Sequence, residues 1–170
     1  MTTLAELNRL DQPGFTAALS HVFEHSPWVV EMTWPRRPFR DMAHLHAELC
    51  SSLHAASPER QMELICAHPD LAGRLAQQNQ LTAESAREQA SAGLNRMSAD
   101  ELAHFQQLNM AYREKFGFPF IICARLNARD AMLRSMQQRM SHSAAEEHAA
   151  ALAEIEKIAW LRLQDQLSPP

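Results

Sequence analysis

Glycine is scarce in this sequence, with 4 among 170 residues, and cysteine and tyrosine are scarcer still, with 3 and 1. Hairpin turns and phosphate-cradling loops draw on glycine for left-handed or closely approached backbone, so this shortage, beside 9 methionines, disfavours both. Neither glycine-rich nucleotide fingerprint is present. Cys50, Cys66 and Cys123 are odd in number, far apart and without a C-x-x-C pair, so they read as free thiols of a reducing compartment. No apolar run approaches the roughly 20 residues of a membrane span, and the first ten residues have neither the basic start nor the apolar core of a signal peptide. Ser168, Pro169 and Pro170 do not make a peroxisomal address. Positive charge is not in excess either: 16 Lys and Arg against 20 Asp and Glu leave −4, which argues against a phosphate-driven attraction to nucleic acid. These absences predict a cytoplasmic protein with neither nucleic acid nor a membrane as partner.

What is present is helical. An apolar share of 46% allows a sizeable core, and 170 residues suit one domain, taken here as 1–170. Apolar residues recur at helical spacing at Leu4, Leu7 and Leu10, at Phe15, Leu19, Val22 and Phe23, and at Met42, Leu45, Leu49 and Leu53. Start signals add more: Ser57 before Pro58, and Ser98 and Ser143 each three residues ahead of a glutamate, Glu101 and Glu146, in capping-box register. The predicted helices lie near 58–66, 82–93, 98–116, 125–140 and 143–166 beside the first three. The expected fold is an all-α, single-domain helical bundle of about eight helices.

Two stretches break the rhythm. In A-H-P-D-L-A-G (67–73), Pro69 biases His68 away from helical angles, which sets His68 at a turn between helices. In K-F-G-F-P-F-I-I-C-A-R (115–125), Gly117 and Pro119 end a helix and leave an apolar extended segment with backbone groups open to a ligand. Between them, Ser85, Glu88 and Gln89 share one helix face, and Ala86, Ala90 and Gly93 form a small-residue stripe suited to close packing. The bland reading of this helix is a solvated polar face beside a packing face.

Nine histidines raise the question of a metal. The best local pairs are His21 with His25, Glu101 with His104 and Asp41 with His44, each placing two ligands on one helix face. A di-metal carboxylate site needs two Glu-x-x-His steps, whereas one is present and its glutamate already suits the Ser98 capping box, so the expectation is no metal. Cys66 lies two residues from His68, but all three cysteines sit in apolar stretches, where buried and inert thiols are the rule.

Taken in order, A-H-P-D-L-A-G (67–73), L-T-A-E-S-A-R-E-Q-A-S-A-G-L (81–94) and L-N-x-x-Y-R-E-K-F-G-F-P-F-I-I-C-A-R (108–125) closely resemble the family of 2-oxo-4-hydroxy-4-carboxy-5-ureidoimidazoline (OHCU) decarboxylases. The resemblance implies an all-helical homodimer that takes a small ureidoimidazoline, releases CO2 and yields (S)-allantoin in urate degradation, with no metal or organic cofactor. It implies a proton-donating histidine at His68 and substrate contacts at Pro69, at Ser85, Ala86, Arg87, Glu88 and Gln89, and at Phe120, Ile121, Ile122, Cys123 and Ala124. To these we add Glu88 as a catalytic partner of His68, and Arg125 as a cation for a carboxylated substrate.

The chemistry fits such a chain. The carboxylate of OHCU is attached beside a ring C=N bond, so the substrate is its own electron sink and needs neither pyridoxal nor thiamine. The protein must orient the carboxylate, stabilise developing charge and deliver a proton to one face. A histidine, with an unperturbed pKa of about 6.5, can do the last near neutrality. Two alternatives stand beside this reading: a non-enzymatic helical interaction module that docks through F-G-F-P-F-I-I, and a sister lyase acting on another ureido-imidazole.

Overall fold

The computed structural model describes residues 2–73 and 80–167. Among them the chain is all-α, with nine α-helices, three 3₁₀ turns and one isolated bridge, between Thr2 and Leu167. The terminal tripeptide read above as no peroxisomal address lies outside the described residues. No described helix is long and apolar enough to cross a membrane. Contacts gather the chain into two compact units, Met1–Ala67 with Glu156–Pro170, and His68–Ile155.

The first unit contains α1 (Leu4–Leu7), α2 (Gln12–Leu19), α3 (Trp28–Thr33), α4 (Met42–Ala55) and α5 (Pro58–Ala67). The spacing of Leu4, Leu7 and Leu10 predicts one continuous helix, but it stops at Leu7. Asp11 restarts the chain as an N-cap, its carboxylate accepting the Gly14 N–H at 3.0 Å, with Pro13 in the new first turn. Val22 and Phe23 are buried from the turns after α2 rather than from a helix. The six residues of α3 are too few to print a 3.6-residue period, and sequence reading passes over them. They matter all the same: the Thr33 hydroxyl lies 2.8 Å from both the Val29 carbonyl and the Ser52 hydroxyl, a buried polar link from α3 to α4.

The second unit holds α6 (Ala83–Ser91), α7 (Ala99–Phe116), α8 (Arg129–Arg139) and residues 144–155 of α9 (Ala144–Gln166), whose remainder belongs to the first unit. Both predicted capping boxes form, at Ser98 with Glu101 and at Ser143 with Glu146. Two predicted boundaries move. The helix expected over 82–93 ends at Ser91, because Gly93 takes a left-handed φ of 75° just beyond it. The helix expected from 125 starts at Arg129. Ala124–Leu126 form a 3₁₀ turn instead, and the Asn127 side-chain amide donates to the Cys123 carbonyl at 2.9 Å, a local bond that competes with the helical ladder.

Candidate active site

All the sequence-predicted site residues fall in the second unit. Ala67 is the last residue of α5; Pro69 keeps His68 out of the helix, and the chain turns through His68 to Gly73. His68 is 7% exposed. The Gly73 N–H closes the turn onto the Asp70 carbonyl at 3.2 Å. Ala72 sits at a φ of 50°, a region that residues with a Cβ rarely adopt.

Three side chains hold this turn. The Gln89 side-chain carbonyl accepts the Ala72 N–H at 2.9 Å, and the Asn109 amide donates to the Leu71 carbonyl at 2.8 Å. The Arg113 Nε reaches both carboxylate oxygens of Asp70, at 2.8 and 3.1 Å. Residues 70, 71 and 72 are thus each anchored from α6 or α7.

On α6, the polar residues and the small ones exchange the places expected of them. Ser85 and Gln89 are buried and Glu88 is half-buried, whereas Ala86 and Ala90 are exposed. Two of the three residues of the stripe expected as a close-packing face therefore face outward, and the third, Gly93, is half-buried beyond the end of the helix. The reason is that Gln89 has a backbone partner in the turn, so its amide can be buried at little cost. Arg87 is exposed and pairs with Glu84 at 3.2 Å. The N-terminal end of α6 is capped by the Thr82 hydroxyl, and the helix packs against the 3₁₀ turn Ala124–Leu126.

Phe120, Ile121, Ile122, Cys123 and Ala124 are buried, and Arg125 is exposed. The backbone of this segment is less open than its extended form suggests. The Ile121 carbonyl accepts from Arg139 at 2.8 Å, the Cys123 N–H donates to the Glu154 carboxylate at 2.8 Å, and the Cys123 carbonyl takes the Asn127 amide and the Leu126 N–H. Arg139 also lies over the Phe120 ring, 4.5 Å from its centroid, and forms a forked pair with the buried Glu147 carboxylate. Tyr112 and His142 complete the shell around Glu147. Burial pushes the Cys123 thiol up, helped by the negative charges of Glu154 and Glu88. α6 thus touches both the turn, through Gln89, and the 3₁₀ turn Ala124–Leu126 that ends the segment.

The thiols and histidines of the competing readings occupy different settings. Burial and the Glu156 charge push the Cys50 thiol up to about 12, so a nucleophilic thiolate is not available there. Cys66, expected to be buried, is exposed on α5, because the apolar run around it turns its Leu64 and Ile65 side inward. His21 and His25 do not share a helix face, since they lie in the turns after α2 and His25 has a φ of 46°. Asp41 is the N-cap of α4, accepting the His44 N–H at 2.7 Å. Among the described residues no three His, Cys, Asp or Glu side chains gather as a metal would require.

Sequence reading missed the residues that hold the site: Asn109, Arg113, Arg139, Glu147 and Glu154. Asn109 and Arg113 had a usable signal, since they stand at i and i+4 within the L-N-x-x-Y-R stretch and so share a helix face. Nothing local marks Arg139, whose partners lie 8 to 19 positions away in sequence.

The sequence profile of the OHCU decarboxylase family matches residues 8–164. The chain is 40% identical to the 2-oxo-4-hydroxy-4-carboxy-5-ureidoimidazoline decarboxylase of Halalkalicoccus jeotgali, over 98% of this chain and 93% of that protein. It is also 40% identical to the enzyme of the same name from Haloferax volcanii, over 98% of this chain and 96% of that one. Among solved structures it is similar to an (S)-allantoin synthase, with a TM-score of 0.77 and 27% identity, covering 98% of this chain and 54% of the longer one. Sequence, fold and full-length coverage agree, and the chain belongs to the OHCU decarboxylase family.

Proposed function

We infer that this chain decarboxylates OHCU to (S)-allantoin in urate degradation, with His68 as the proton donor. What carries this reading is the buried His68 on a turn anchored at three successive residues, within a chain of the OHCU decarboxylase family. Loss of CO2 breaks the bond between C4 and the carboxylate. The freed pair forms a C4=C5 bond while the C5=N1 pair moves to the ring nitrogen, which takes up a proton. A second proton then goes to C5 as the 4-hydroxyl loses its own, leaving the C4 carbonyl of allantoin. In sum, one proton is taken up for each CO2 released.

Each step assigns work to a side chain. His68 delivers the proton to C5 from one face, which sets the product's configuration. Glu88 orients the His68 imidazole or receives the hydroxyl proton. Gln89, whose carbonyl is engaged by Ala72, has its amide donors left for the ureido carbonyl, and Ser85 supports the same face. Phe120 to Ala124 wall the ring, Pro69 closes the edge beside His68, and Arg125 draws in the anionic substrate. Ala86 and Arg87 are exposed, so their part is confined to the mouth of the site or to a partner chain.

We further propose that the chain works as one functional domain over residues 1–170, as a homodimer and in the cytoplasm. Three unbridged cysteines suit a reducing compartment. The exposed apolar side chains Met110 and Leu126, 66% and 59% accessible, suit cover by a second copy. The test of function is circular dichroism of OHCU generated from urate in the presence of this protein. A faster appearance of the (S)-allantoin signal than in its absence is the expected result; an unchanged rate would reject the reading.

A further inference from the structure

We propose that Asn109 and Arg113 are positioning residues for His68: together they set where the proton-donating imidazole stands. This rests on the reading of His68 as the proton donor.

The geometry behind it is one helix face gripping one turn. Asn109 and Arg113 stand at i and i+4 on α7 and reach consecutive residues of the turn, the Leu71 carbonyl at 2.8 Å and the Asp70 carboxylate at 2.8 and 3.1 Å. Pro69, with its fixed φ, is the only residue between Asp70 and His68. A shift at residues 70 and 71 is therefore passed to His68 with little backbone freedom to absorb it.

Neither side chain is explained by stability alone. The Asn109 Oδ1 is buried and has no hydrogen-bond partner among the described residues, and an orphaned buried acceptor is destabilising. The core by itself would favour an apolar group there; what the amide contributes is its N–H to Leu71. The Arg113 side chain is 42% exposed, and ion pairs so placed add little to stability. Both are well placed for alignment, which in catalysis is costly to lose: a displacement of about 1 Å can reduce rate about 100-fold.

The test compares Asn109→Ala, Arg113→Gln, Arg113→Lys and His68→Ala by steady-state kinetics with OHCU, by the enantiomeric excess of the allantoin formed and by thermal melting. For Asn109→Ala and Arg113→Gln, kcat should fall about tenfold or more with KM within about twofold, because alignment acts in the transition state. Their product should lose optical purity, and Arg113→Lys, which keeps the charge, should recover much of the rate. Folded Asn109→Ala and Arg113→Gln with wild-type kcat and optical purity, beside an inactive His68→Ala, would overturn the proposal while leaving the role of His68 intact. A kcat loss that merely follows the unfolded fraction, with product of wild-type purity, would also overturn it. Wild-type activity in His68→Ala would instead remove the reading on which it rests. Should Asn109→Ala not fold, the exposed Arg113 decides the matter by itself.

Discussion

The side-chain carbonyl of Gln89 accepts the backbone N–H of Ala72 at 2.9 Å, and Ala72 is held at a φ of 50°. One bond thus ties the helix that carries Glu88 to the turn that carries His68, at a residue whose backbone would relax elsewhere if released. Read from sequence, Gln89 has one task, binding substrate. In the folded chain its oxygen serves the turn, so the proposed substrate contact falls to its amide nitrogen.

That division can be separated by substitution. Gln89→Ala removes both functions and should lower kcat as well as raise KM. Gln89→Glu keeps an acceptor for Ala72 but loses the amide donors, so KM should rise with a smaller change in kcat. Glu88→Ala should lower kcat chiefly, since a group coupled to a moving proton acts in the transition state. Identical kinetic defects in Gln89→Ala and Gln89→Glu would show that the bond to Ala72 has no bearing on turnover.

Gly73 should not accept a side chain. A Cβ there would lie 2.7 Å from the Asp70 Cβ and 3.1 Å from the Asp70 carbonyl oxygen, neither of which is the free end of a flexible group. Gly73→Ala must therefore open the turn and disturb the Asp70 to Arg113 pair. A stability loss of about 1–3 kcal/mol, as for overpacking, and a larger fractional loss of kcat are expected. Urea denaturation and turnover measured on one preparation check this, and an alanine variant equal to wild type in both would contradict the tight turn.

His68→Ala should retain its fold and lose about 10² to 10⁴ in rate, the usual worth of a positioned general acid. OHCU, as a β-imino acid, loses CO2 slowly unaided, so rate alone is the weaker measurement. The product formed on the variant should drift toward racemic allantoin as water takes over delivery of the proton. Chiral chromatography reads this directly, and optically pure (S)-allantoin from the variant would assign the face-selecting proton to another group.

Stability toward acid should depend on Glu147. Burial pushes its carboxyl up, but hydrogen bonds from Arg139, Tyr112 and His142 and the Arg139 charge outweigh this and hold it below the usual 4.5. A carboxylate depressed in the folded state contributes its full stabilisation above its unfolded value and loses it as pH falls through the folded one. Glu147→Gln should therefore be less stable than wild type by about 3–5 kcal/mol near neutrality, as for a broken buried pair. Urea midpoints followed from about pH 7 to below about pH 4 should show that gap narrowing. A gap independent of pH would mean that the ionised carboxylate is not what holds Arg139 in place.

By itself the sequence determined that the chain is helical, where capping begins helices at Ser98 and Ser143, and that His68 stands at a turn. Each is a local matter: apolar spacing, a hydroxyl three residues from a glutamate, and a proline that bars its predecessor from helical angles. The three stretches that carry the family resemblance are local strings as well. Tertiary structure alone decided which face of α6 is buried, because Gln89 meets the Ala72 N–H across 17 positions. It also decided that Arg139 takes the Ile121 carbonyl and Glu154 the Cys123 N–H, and that Asn109 and Arg113 reach back 38 and 43 positions to the turn. The physical reason is that a buried polar group must find a partner wherever the chain brings one, and no pattern within a helix-length window encodes where that partner lies.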